Sequence, residues 1–88
     1  MKKIYKYPLL IEDKQVVSMP IGAEILTVQL QNGIPCIWAL VDTSSPLSDV
    51  LVRVYPTGGE VDTSPNLKYC GTFQMIGGGL VFHVFVDE

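Results

Sequence analysis

The chain reads as an all-β domain: about seven mostly antiparallel strands in a small sandwich or barrel, with at most one short helical turn near 45–49. Three observations predict this. Apolar and polar residues alternate with period two along much of the chain, and no ten-residue window carries a helical period. Turn-forming residues interrupt that alternation at short intervals. Asn32-Gly33 separates two apolar runs, which is the strongest short-range hairpin signal.

Lys2 to Pro8 alternates and reads as a strand with Tyr5 and Tyr7 inward and lysines outward. The charges and Pro8 suit a sheet edge. Glu12-Asp13-Lys14 is a turn, followed by a strand from Gln15 to Met19. Pro20-Ile21-Gly22-Ala23 is a connection, because Pro20 cannot donate to a ladder.

The stretch Ile25 to Asp42 is the organising hairpin. A two-residue loop sets Val28 opposite Ile37, Thr27 opposite Trp38, Leu26 opposite Ala39 and Ile25 opposite Leu40. Opposed residues share a sheet face. Leu26, Val28, Leu30, Pro35, Ile37, Ala39 and Val41 then form one apolar face, expected to be core. The other face mixes Thr27, Gln29 and Gln31 with Cys36, Trp38 and Leu40. Either a second layer covers it or it binds something. Pro35 has no amide toward a further neighbour, so that side should be a sheet edge or a strand end at its level.

Ser45-Pro46 followed by Asp49 resembles the start of a helix, with room for one turn. Val50 to Tyr55 alternates, placing Val50, Val52 and Val54 on the core side and Leu51, Arg53 and Tyr55 on the other. Pro56 to Asn66 is a long strand-poor stretch, read as a mobile loop or a long hairpin connection. Leu67 to Ile76 is a strand with Gly71 as a bulge or crowded point. Gly77-Gly78-Gly79 turns the chain into a last strand, Leu80 to Val86, expected to be central and covered on both faces.

At 88 residues the chain is read as a single domain, residues 1–88. Its net charge is −3, and its six basic residues form no cluster beyond Lys2, Lys3 and Lys6. Nucleic-acid backbones are held by many basic groups, so DNA and RNA binding are not expected. No apolar run nears the roughly 18 residues of a membrane span, and no signal peptide is visible; the expected location is cytoplasmic. Hydrophobic content is 48% against 17% charged, which favours a homo-oligomer. The two cysteines, Cys36 and Cys70, lie in strand-like runs as small apolar residues, with a disulfide left open.

No catalytic constellation is legible, so the chain is expected not to be an enzyme, and no cofactor is implied. One histidine, two distant cysteines and scattered carboxylates do not make a metal site. His83 lies among Leu80, Val81, Phe82, Val84 and Phe85, where a buried, neutral, hydrogen-bonded ring is the simpler reading and a ligand contact the sharper one. Glu60 and Asp62 read as a solvated turn, and the glycine run lacks the pattern of a phosphate loop. What remains is an aromatic and polar set: Trp38, Arg53, Tyr55, Tyr69, Phe73 and His83. Aromatic faces stack on bases and an arginine holds a phosphate. A pocket for a small planar anion is therefore expected from Trp38, Arg53, Tyr55, Tyr69 and His83, against core packing for the aromatics and a surface position for Arg53.

At KIYKYPL, QNGIPCIWALVD and CGTFQMIGGGLVFHVF the chain resembles a family of short phage and prophage proteins carrying the words QNG-x-P-x-x-WALVD and GTFQ. The family has no assigned catalytic residues. The resemblance implies a small accessory protein of a virus or mobile element. Such a protein would act as an anti-defence inhibitor that sequesters a nucleotide immune signal, or as a structural or interaction module covering a host protein surface.

Overall fold

Period-two alternation resolves into seven strands in a computed structural model, which describes residues 1–63 and 66–87. They are β1 (Lys2–Pro8), β2 (Lys14–Pro20), β3 (Glu24–Gln31), β4 (Ile34–Asp42), β5 (Leu47–Pro56), β6 (Leu67–Met75) and β7 (Leu80–Asp87). Every pairing is antiparallel. One sheet has the order β1-β4-β3 and the other β2-β5-β7-β6. The two stack as a sandwich, with no closed barrel, and β3 lies against β6. Among the described residues the single helical turn is a 3₁₀ segment at Ile76–Gly78. The turn expected at 45–49 is absent: Asp42 instead closes a tight turn by accepting the Ser45 amide, and β5 begins at Leu47.

The core follows the alternation. Val52 and Val54 of β5, Val84 and Val86 of β7, Phe73 of β6 and Val28, Ile37, Ala39 and Val41 of the β3-β4 hairpin form one cluster, closed by Leu9 and Met19. Phe73 stacks on Phe82 with ring centroids 5.4 Å apart, so it belongs to the core and not to the aromatic set proposed for binding.

Asn32 and Gly33 take φ of 52° and 78°, the left-handed pair that a two-residue hairpin loop requires. The expected register holds from Gln31↔Ile34 to Thr27↔Trp38 and then slips: Ile25, not Leu26, faces Ala39. Leu26 is the extra residue of a β-bulge and is 46% exposed, while Ile25 takes its place against the core. Leu30, beside the turn and outside the core cluster, is also exposed. β1 pairs up to Pro8↔Cys36, and the Leu9 amide then bonds the Pro35 carbonyl at 2.8 Å, so β1 ends at the level of Pro35.

β1 is an edge strand, as its lysines and Pro8 suggested. Tyr7 packs on the core, but Tyr5 stays largely exposed, because the inward side of an edge is only partly roofed. Gly71 follows a second bulge at Cys70, and a Cβ there would lie 2.9 Å from Val28 Cβ. The position is both bulged and crowded. β7 is central in its sheet, but the expectation of cover on both faces fails. Val84 and Val86 are buried, whereas Val81, His83 and Phe85 are only half-buried on the outer face. Among the described residues no third layer lies over that face, and Thr57, Gly58, Gly59 and Val61 border it beside His83 and Phe85. Cys36 is buried on the outer side of its sheet, and no disulfide joins it to Cys70.

Candidate ligand-binding site

Alternation decides which side chains of β5, β6 and β7 point away from the core. With Val52, Val54, Val84 and Val86 inward, Arg53, Tyr55, His83, Phe85 and Asp87 project from the outer face, joined by Tyr69 and Thr72 of β6. The ladder sets Arg53 opposite Phe85 and Tyr55 opposite His83. Four of the five expected site residues therefore share one face. Trp38 does not. It projects from the outer side of the β1-β4-β3 sheet, beside Ile4, Leu26, Thr27 and Gln29 along a shallow groove of about 300 Å³. Period two assigns each residue to a side of its own sheet but not to a side of the sandwich, so Trp38 had been grouped with residues across the molecule.

Arg53 is not at the surface. It is 7% exposed, shielded by the loop after β5 and by the end of β7. Its Nη1 donates to Tyr55 Oη at 3.4 Å and lies 3.7 Å from Asp62 Oδ2, and its Nη2 lies 3.5 Å from Asp87 Oδ2. Burial pulls the guanidinium pKa down, but the Tyr55 hydrogen bond and the Asp87 and Asp62 charges outweigh that, so the net shift is upward. The group is a fixed cation. Among the described residues, its buried Nε and the buried Asp87 Oδ1 find no hydrogen-bond partner. A guanidinium matches a carboxylate best through two parallel N–H···O bonds. Here the fork with Asp87 is splayed, with one limb long and the other unmade.

Two clefts meet at Tyr55 and the loop. The larger, about 460 Å³, has Arg53 at its floor and Lys14, Asp13, Glu60, Val61 and Asp62 among its walls. The smaller, about 230 Å³, is lined by Thr57, Gly58, Tyr69, His83 and Phe85. Tyr55, Pro56, Gly59 and Val61 border both. Phe85 makes edge-to-face contacts with Tyr55 at 5.9 Å and with Tyr69 at 5.5 Å, leaving ring surfaces toward the smaller cleft. The walls of the larger cleft carry more carboxylates than cations, so the positive charge is concentrated at its floor.

His83 is held by a chain of hydrogen bonds. Thr57 Oγ donates to the Val81 carbonyl at 3.4 Å and shares a hydrogen bond of 2.7 Å with His83 Nε2. Nδ1 shares one of 2.9 Å with Thr72 Oγ, which is hydrogen-bonded in turn to Tyr69 Oη at 2.5 Å. Both ring nitrogens are engaged. The chain ties β6 and β7 to Thr57, where the loop leaves β5. The smaller cleft thus has a hydrogen-bonded floor, bordered by a turn in which Gly58 takes φ 85° and the Gly59 amide bonds the Pro56 carbonyl at 3.0 Å. Residues 64–65 of the expected Pro56–Asn66 loop lie outside the described residues.

Asp62, Asp87, Thr57, Thr72 and Phe85 complete the site and were not anticipated. The Thr72–His83 pairing follows directly from the β6-β7 hairpin register, whereas the place of Tyr69 opposite Phe85 follows only once the Cys70 bulge is counted. Asp62 was read as part of a solvated turn, and nothing local in its sequence marks its return to Arg53. Among the described residues no group of three or more His, Cys, Asp or Glu could hold a metal ion, and no helix is long and apolar enough to cross a membrane. The profile of the family described as Domain of unknown function (DUF7352) matches residues 1–88. No curated protein and no solved structure matches the chain.

Proposed function

Since this chain belongs to the DUF7352 family over its whole length, a role has to be argued from the site itself, and we propose a non-catalytic binding protein for a small planar anion of the nucleotide class. The observation that carries this reading is the buried Arg53 at the floor of an open cleft, next to a second cleft faced by Tyr55, Tyr69 and Phe85. A phosphate would sit on Arg53 with Lys14 nearby, and a base would lie against the rings. The acidic walls favour a ligand of low charge, because each additional phosphate would meet Asp13 or Glu60. Cyclic phosphodiesters, with one charge per phosphate, suit this better than nucleoside triphosphates.

The non-catalytic part of the proposal is supported by His83, whose two ring nitrogens are both engaged by threonine hydroxyls of the scaffold. The resemblance to phage and prophage proteins supplies the context. Sequestering such a ligand in the host cytoplasm would silence a nucleotide immune signal. Calorimetry against cyclic dinucleotides and cyclic ADP-ribose isomers tests this. Binding that Arg53→Gln abolishes, with the ligand recovered intact, is the expected result. Degraded ligand would make the protein an enzyme, and absence of binding across the panel would end the nucleotide reading.

A second reading, an interaction module that covers a protein surface or a second copy of itself, is favoured by one observation. Ile4, Leu26 and Trp38 expose an apolar strip on the outer side of the β1-β4-β3 sheet. Sedimentation comparing the wild type with Leu26→Lys separates the two. A change in assembly state would point to that strip, and unchanged monomers would count against it.

A further inference from the structure

We propose that β2 is an association edge for a second copy of the chain: two copies join β2 to β2 in antiparallel fashion, about a two-fold axis at Val16. The inference goes beyond the ligand reading and does not depend on what the clefts bind. β2 ends the β2-β5-β7-β6 sheet, so among the described residues one of its sides has no strand neighbour. Its ladder with β5 runs unbroken from Lys14↔Arg53 to Pro20↔Leu47, without the bulges that kink β3 and β6. A regular edge is a template for another strand unless charges blunt it. β1 carries Lys2, Lys3 and Lys6, whereas β2 carries only Lys14.

The backbone groups that β2 offers can be read from the bonds at its two ends. The Ile21 amide bonds the Pro46 carbonyl at 2.9 Å, and the Val54 amide bonds the Asp13 carbonyl at 3.1 Å. In an antiparallel pair, residues that turn both backbone groups to one neighbour alternate with residues that turn them away. Between Asp13 and Ile21, Gln15, Val17 and Met19 therefore bond β5, and Lys14, Val16 and Ser18 turn their amides and carbonyls to the open side. Pro20 falls in the outward set, where its missing N–H costs the β2-β5 ladder nothing.

This edge matches itself. With Val16 opposite Val16 of the second copy, Lys14 faces Ser18 and Ser18 faces Lys14, so every outward amide meets an outward carbonyl and no like charges oppose. Val16 is 61% exposed, and its side chain would pair with its own copy. The same register brings Ile21 of one copy to the level of Ile11 of the other, and both are exposed in the single chain. The patch is thus self-complementary, as a two-fold interface requires. Lys14 lies opposite Arg53 and borders the larger cleft. Pairing would set Ser18 of the second copy beside Lys14, with both Arg53 clefts on one face of a continuous sheet.

Sedimentation of the intact chain across the micromolar range tests this, the scale of an interface at the small end of the known sizes. The wild type should pass from monomer to dimer. Val16→Pro removes the central outward amide, leaves the β2-β5 bonds in place, and should weaken dimerisation at least about tenfold. Val16→Lys and Val16→Glu each set like charges face to face and should each weaken it, whereas a mixture of the two should restore a dimer. Restoration requires position 16 to face itself. Leu26→Lys should leave the dimer intact, which separates this edge from the strip of Ile4, Leu26 and Trp38. If Val16→Pro is poorly folded, the two charged variants carry the comparison at an exposed position. A wild type that stays monomeric throughout, a dimer indifferent to the Val16 variants, or a mixture that restores nothing would overturn the proposal.

Discussion

Replacing Gly71 with alanine probes the seam between the two sheets. The added Cβ would sit 2.9 Å from Val28 Cβ, 3.2 Å from Val28 Cγ2 and 3.4 Å from the Val28 nitrogen. Only Cγ2 can turn aside by rotation. Cβ and the amide nitrogen are fixed to the backbone of β3, so relief requires the sheets to part by a few tenths of an ångström. Overpacking of this kind costs about 1–3 kcal/mol. Removing a glycine from the unfolded chain returns about 0.4–1 kcal/mol. The expected net loss is about 1–2 kcal/mol, which lowers the melting temperature of a domain this size by roughly 4–16 °C. Urea unfolding of the wild type, Gly71→Ala, Val28→Ala and the double variant checks the cause. If the clash is the mechanism, Gly71→Ala should cost markedly less in the Val28→Ala background, with a coupling of about 0.5 kcal/mol or more. A Gly71→Ala protein as stable as the wild type, or strictly additive losses, would refute the reasoning.

Other substitutions should separate core from surface and strain from packing. Ile37→Ala, at a fully buried site, should cost about 2–5 kcal/mol in chemical denaturation, whereas Trp38→Ala, half-buried on an outer face, should cost nearer 2 kcal/mol, below the roughly 3–5 of a core aromatic. Ile76 is β-branched, 79% exposed and held at φ 52°, so Ile76→Gly should raise stability by about 1 kcal/mol, read as a higher urea midpoint. Asp42 is held down at about 2 by hydrogen bonds from the Ser44 side chain and amide and from the terminal amine. A carboxyl whose folded pKa lies below its unfolded value stabilises the fold above the unfolded pKa, near 3.8, and loses that contribution as pH falls through about 2. Unfolding midpoints between those pH values should fall more steeply for the wild type than for Asp42→Asn.

Much of the fold was legible because side-chain direction along a strand is a local property. Asn32-Gly33 set the hairpin register as far as Thr27↔Trp38, and the valines of β5 faced inward as the alternation required. The register failed at Leu26 because a bulge is decided by which residue fits the opposite sheet, and Ile25 fits. Arg53 and Tyr55 were placed on the correct side of β5, but the burial of Arg53 depends on Asp62 and Asp87, which reach it from a loop and from another strand. The 3₁₀ turn fell at Ile76 and not at Ser45 because Asp42 captures the local amides first. Trp38 was misplaced for a geometric reason: two outer faces look alike to a period of two.

The bulges at Leu26 and Cys70 lie on β3 and β6, the edge strands that meet on one flank of the sandwich. A foreign strand extends a sheet only along an edge whose amides and carbonyls keep regular spacing. Both edges on this flank are kinked and unsuitable as templates for chain-on-chain growth. Strand addition would have to use β1, guarded by Lys2, Lys3 and Lys6, or β2, which Pro20 ends. Chain-on-chain growth along the β3–β6 flank is therefore disfavoured by the irregular spacing of its edges.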